Sequence, residues 1–115
     1  MSKSTYTYIK KASLEYLLSN FDTVYLKVSY MSQLKEILAK LKAKQFDISY
    51  TQEKWKQEWA QSCINNDEPI AVEIDVQLKF VDLVSYQHIT SELSELHYWS
   101  IEKLRNLGKI AVSEC

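Results

Sequence analysis

Residues 70–80 alternate without a fault: Ile70, Val72, Ile74, Val76, Leu78 and Phe80 are apolar, with Ala71, Glu73, Asp75, Gln77 and Lys79 between them. Successive side chains of a strand point to opposite faces, so this run predicts a ribbon with one apolar and one wet face. Eleven residues at about 3.3 Å each make a strand roughly 36 Å long, well beyond the usual five or six residues. The phase then slips. Asp82 falls on the apolar side while Val81 and Leu83 appear opposite, which predicts a β-bulge, a bend or a change of burial near Val81.

A second strand is predicted over 23–30, with Val24, Leu26, Val28 and Tyr30 on one face and Tyr25, Lys27 and Ser29 on the other. Ser32 is placed to cap the helix that follows. In that helix, near 33–44, Leu34, Ile37, Leu38 and Leu41 form a stripe at i, i+3, i+4 and i+7. Phe46, Ile48 and Tyr50 alternate as a further strand, so 23–50 accommodates either a parallel crossover or an antiparallel return. Thr51 is placed to cap a helix near 52–64 that carries Trp55, Trp59 and Cys63 along one side. Leu14, Leu17 and Leu18 predict a helix near 12–19. Leu93, Leu96, Leu104 and Leu107 predict another near 91–107, closed by Gly108 at the position after its end. Residues 5–9 and 110–112 read as short strands.

These elements predict one α+β domain over residues 1–115, a two-layer arrangement with a mostly antiparallel or mixed sheet of three to five strands and helices on one face. The polar set Glu73, Asp75, Gln77 and Lys79 predicts an opposite sheet face open to water.

Several chemistries are excluded by what the chain lacks. Gly108 is its only glycine, where ordinary usage would supply about eight. A phosphate-cradling loop, a dinucleotide turn and a G-x-S-x-G nucleophile elbow cannot be written with one glycine. His88 and His97 flank Glu92 and Glu95 without metal-ligand spacing, and Cys63 and Cys115 make neither a C-x-x-C pair nor a disulfide framework. No cofactor or metal is implied. No apolar run approaches the ~20 residues that span a bilayer, and residues 1–8 lack a secretory h-region. A cytoplasmic protein without membrane association is expected.

Three functional readings are open. Asp67 or Asp75 as a carboxylate, with Lys79 two residues after Gln77 on the same strand face, sketches a metal-dependent nuclease, although Gln77 stands where an acid is commoner. The N-terminal half is basic: residues 1–56 have a balance of +5 and residues 57–115 one of −6. Lys40, Lys42, Lys54 and Lys56 lie on successive predicted helices and suggest a nucleic-acid-binding regulator. The cationic set of thirteen lysines and one arginine lacks bidentate phosphate grips.

The leading reading rests on aromatic content. Eight tyrosines, three tryptophans and three phenylalanines are of the types that anchor protein interfaces. Tyr25, on the polar face of its strand beside Lys27, and the pair Tyr98 and Trp99 are the candidate anchors, with Glu73 and Asp75 as a charged rim. The chain is therefore expected to be a non-enzymatic protein-binding module. An inhibitor of immunity or anti-defence type, encoded by a phage or mobile element, fits this size and composition. Its partner would be another protein. Self-association through an edge strand or the open sheet face is a further reading.

Overall fold

A computed structural model describes residues 8–10, 13–87, 89 and 110–114. Five strands form one mixed sheet: β1 (Tyr8–Lys10), β2 (Thr23–Val28), β3 (Ile70–Asp75), β4 (Phe80–Ser85) and β5 (Ile110–Glu114). Their spatial order is β1-β5-β2-β3-β4. β5 runs parallel to both β1 and β2, whereas β2, β3 and β4 are successively antiparallel. Three helices are described, α1 (Leu14–Asn20), α2 (Met31–Ala43) and α3 (Lys54–Asn65). The α+β class and mixed sheet expected from the sequence are those observed. Among the described residues, no helix is long and apolar enough to cross a membrane.

The main core lies between the helices and one face of the sheet. Val24, Leu26 and Val28 of β2, Ile70, Val72 and Ile74 of β3, and Val81 and Leu83 of β4 meet Leu17 of α1, the α2 stripe and Ala60 of α3. Leu34 and Leu41 are fully enclosed. The stripe spacing brings these α2 side chains onto one side of the cylinder, and burying that side fixes the helix on the sheet.

The long strand expected over 70–80 is instead a hairpin. β3 ends at Asp75, residues 76–79 turn, and β4 returns with Asp75 opposite Phe80. The Asp75 carboxylate accepts the Leu78 N–H (2.9 Å) inside the turn. Lys79 adopts φ 55° to bring the chain round. The slip of phase at Val81 is the signature of this reversal: Val81 and Leu83 enter the core on the new strand, while Leu78 and Phe80 stay exposed.

The strand expected at 46–50 is also absent. Asp47 makes a single parallel bridge to Phe80, and the chain then coils into a 3-10 turn at Tyr50–Gln52. The 23–50 unit is therefore no parallel crossover; the next strand, β3, returns antiparallel to β2. Two expected caps move as well. α2 begins after Tyr30 rather than Ser32, with the Gln33 side-chain carbonyl accepting the Ser29 and Tyr30 N–H groups (2.9 and 3.1 Å). Thr51 is buried, and its hydroxyl donates to the Ile48 carbonyl (2.8 Å) instead of capping α3. Tyr30, expected on the apolar face of β2, is exposed at this helix start.

Scarcity of glycine leaves its mark at the helix ends. After α2, the Gln45 N–H donates to the Lys42 carbonyl (2.9 Å) and the Phe46 N–H to the Leu41 carbonyl (3.0 Å), with Gln45 at φ 68°. After α3, Asp67 at φ 61° and Glu68 repeat the pattern onto Ile64 and Cys63. Both are Schellman endings, in which the left-handed residue is usually glycine because a Cβ there is strained. Gln45→Gly is accordingly expected to stabilise the fold by about 0.5–1 kcal/mol, the relief of strain exceeding the added freedom of the unfolded chain. A raised urea midpoint with unchanged slope would establish this; a lowered one would show that the glutamine side chain itself contributes.

The second sheet face departs from its expected exposure. Tyr25, Ala71 and Val112 are buried there together with Ile89, flanked by Val84 and Tyr86. The predicted helix near 91–107, its closure at Gly108, and His88, His97, Tyr98 and Trp99 lie outside the described residues.

Candidate interaction surface at the β4 edge

The sequence-derived anchors on β2 and β3 are adjacent, but their side chains are engaged within the protein. Tyr25 lies opposite Glu73 in the β2–β3 register, and its hydroxyl donates to Glu73 Oε2 (2.9 Å). It is 8% exposed. Tyr25 is thus a core residue with a satisfied polar tip, not a free anchor, because it is buried in a cluster with Ile89 and with its register neighbour Val112 of β5. The Lys27 ammonium sits over the Tyr86 ring, 4.9 Å from its centroid. Asp75 caps the hairpin turn.

The lysines do not make one surface either. Lys40 lies 3.9 Å from Glu36 one helical turn away. Lys42 and Lys54 are exposed, and Lys56 is largely enclosed. The nuclease arrangement loses its frame, since Gln77 and Lys79 belong to the turn and the Lys79 ammonium lies over Phe46 at 4.8 Å. Among the described residues, no group of three His, Cys, Asp or Glu side chains is placed to hold a metal ion. Cys63 is half-buried, and burial, with the Glu68 charge second, pushes its thiol pKa up; it is not an activated thiolate.

A different cluster stands out, built where the 3-10 turn and α3 meet the edge of β4. The Lys56 ammonium is surrounded by three rings, those of Tyr50, Trp55 and Trp59, at 4.9, 5.1 and 5.0 Å from their centroids. Asp82 Oδ1 lies 3.6 Å from it, and the Lys56 side chain is only 11% exposed. Ring quadrupoles attract a cation, and the carboxylate supplies the counter-charge, so the ammonium is compensated despite losing most of its water.

The cage fixes its own walls. Tyr50 and Trp55 meet edge to face at 5.5 Å, and the Trp55 indole N–H donates to Glu53 Oε1 (2.8 Å). Gln57 of α3 donates its side-chain amide to the Thr51 carbonyl, tying the helix to the 3-10 turn. Trp55 nevertheless remains 52% exposed. Along the same edge, Phe80 is 39% and Leu78 77% exposed.

The backbone of this edge is less available than its side chains. The Val81 N–H donates to the Asp47 carbonyl (3.2 Å), and the Asp47 N–H to the Lys79 carbonyl (2.7 Å). The Leu83 N–H turns to the carboxylate of its neighbour Asp82 (2.7 Å). Asp47 is held in place by its own carboxylate, which accepts the Ser49 N–H (3.0 Å); hydrogen bonding from Ser49 keeps that carboxyl pKa below the usual range. Occupied donors discourage another strand from adding here. What β4 presents is an aromatic and aliphatic surface with mixed charge.

Sequence reasoning missed Tyr50, Trp55, Trp59, Asp82, Leu78 and Phe80 as site residues. The cue available was the interleaving of Lys54, Trp55 and Lys56, which places a cation beside an aromatic ring at a helix start. No protein-family model matches this chain, and neither does any curated protein or solved structure.

Proposed function

We propose that this protein is a non-enzymatic binding module that acts by covering a surface of another protein, inhibition of that partner by steric occlusion being the consequence. The observation that carries the reading is Trp55, half exposed yet braced by Tyr50, Lys56 and Glu53. An aromatic side chain that is already ordered loses little conformational freedom on binding, which is what an interface anchor needs. Phe80 and Leu78 extend the apolar area along the hairpin, and the closed β4 donors favour side-chain recognition over strand addition.

Affinity capture with the wild-type chain and with a Trp55→Ala, Phe80→Ala variant tests the reading. A partner held by the first and lost by the second is expected. Calorimetry with the purified partner should show a loss of about 2 kcal/mol or more for Trp55→Ala, roughly thirtyfold in Kd. Circular dichroism should stay unchanged. Equal affinity for both folded proteins would remove this surface from the interface.

A further inference from the structure

The lysines of α2 and of its C-terminal cap, Lys44, fall into two sets. Lys40 pairs with Glu36, and Lys44 with Glu15 (3.2 Å). Lys35 and Lys42 make no ion pair among the described residues, and both are exposed. Seven residues apart, they stand on one helical face, separated by about 10.5 Å of rise. Glu36 and Lys40 lie on a different face, roughly 100–140° round the helix.

Between Lys35 and Lys42, a shallow depression of about 350 Å³ opens toward the 3-10 turn and α3. Leu38 and Ile48 line it, Gln52 and Gln57 stand opposite, and no acidic side chain contributes to the lining. Lys54 is exposed one helical turn before Gln57, so a third unpaired cation flanks this side of α3.

We infer that this groove between α2 and α3 is a second docking surface, and that its occupant is an acidic peptide segment of a partner protein. Two cations along one wall of an acid-free groove, unpaired among the described residues, complement carboxylates spaced along a chain. Nucleic acid is the poorer fit. Affinity for nucleic acid grows with the number of phosphates neutralised, whereas here the lysines of the neighbouring face, Lys40 and Lys44, are already paired with Glu36 and Glu15. The inference does not depend on the aromatic edge, and different substitutions test it.

Fluorescence anisotropy with three labelled probes gives the test: a peptide alternating glutamate and leucine, the same peptide with lysine for glutamate, and a single-stranded oligothymidylate. The acidic peptide is expected to bind, more weakly as salt rises. Lys35→Gln, Lys42→Gln should weaken it about tenfold, since two exposed charge pairs are lost. Lys40→Gln, Lys44→Gln removes the same charge from the paired face and should change affinity less than about twofold. Equal losses in the two double variants would reduce the effect to net charge and overturn the proposal. So would absence of acidic-peptide binding, or tighter binding of the oligothymidylate.

Discussion

Truncating Leu41 to alanine is expected to lower the free energy of unfolding by about 3–4 kcal/mol. Leu41 is fully buried in the core cluster that also holds Phe46. Its carbonyl accepts the Phe46 N–H that closes α2, so one residue anchors both the packing and the helix end. Removal of its isobutyl group loses transfer energy and leaves a cavity that the sheet, enclosed by Ile70, Val72 and Ile74, cannot fill by relaxing. Native domains have only about 5–15 kcal/mol in hand, so the loss is a large fraction of the whole. Urea denaturation followed by tryptophan fluorescence should show a lower midpoint at unchanged slope. Leu78→Ala, at the exposed hairpin tip, should stay within about 0.5 kcal/mol of wild type. A Leu41→Ala loss below about 1 kcal/mol would mean that the core repacks around the gap.

Lys56→Ala should have the next largest effect, about 2 kcal/mol. Three ring contacts of about 0.5–1 kcal/mol each would disappear, together with the buried stem of the side chain and the cation facing Asp82. Lys56→Met separates these contributions: it keeps most of the stem and removes the charge, and should recover about half of the loss. If Lys56→Ala is neutral, the cage contributes nothing to stability. If Lys56→Met matches wild type, packing rather than charge explains the site. Either variant should loosen Trp55, because the ring packs against the Lys56 ammonium.

Legibility in the sequence followed the range of the interactions. The stripe Leu34, Ile37, Leu38 and Leu41 was readable because helix burial repeats over a few residues. The hairpin was not. Alternation runs unbroken through Val76 and Leu78, and the turn uses neither glycine nor proline; an Asp75 carboxylate and a left-handed Lys79 supply the reversal. Only the slipped phase at Val81 reported it. The burial of Tyr25 was not legible because its cluster partners, Ile89 and the neighbouring-strand residue Val112, come from distant sequence. The cage was equally hidden, being assembled from the 3-10 turn, α3 and β4.

The insertion of β5 between β1 and β2 carries a kinetic consequence. Residues 23–27 find their parallel neighbours at 110–114, so a central seam of the sheet joins segments 87 positions apart in sequence. Contacts of such long sequence separation cost loop-closure entropy before they return any energy, and they slow folding. Until residues 110–114 have left the ribosome, β2 has only β3 beside it and β1 has nothing to pair with. The β2–β5 seam therefore stays open until these distant segments meet, and closing it is the slow step in completing the described sheet.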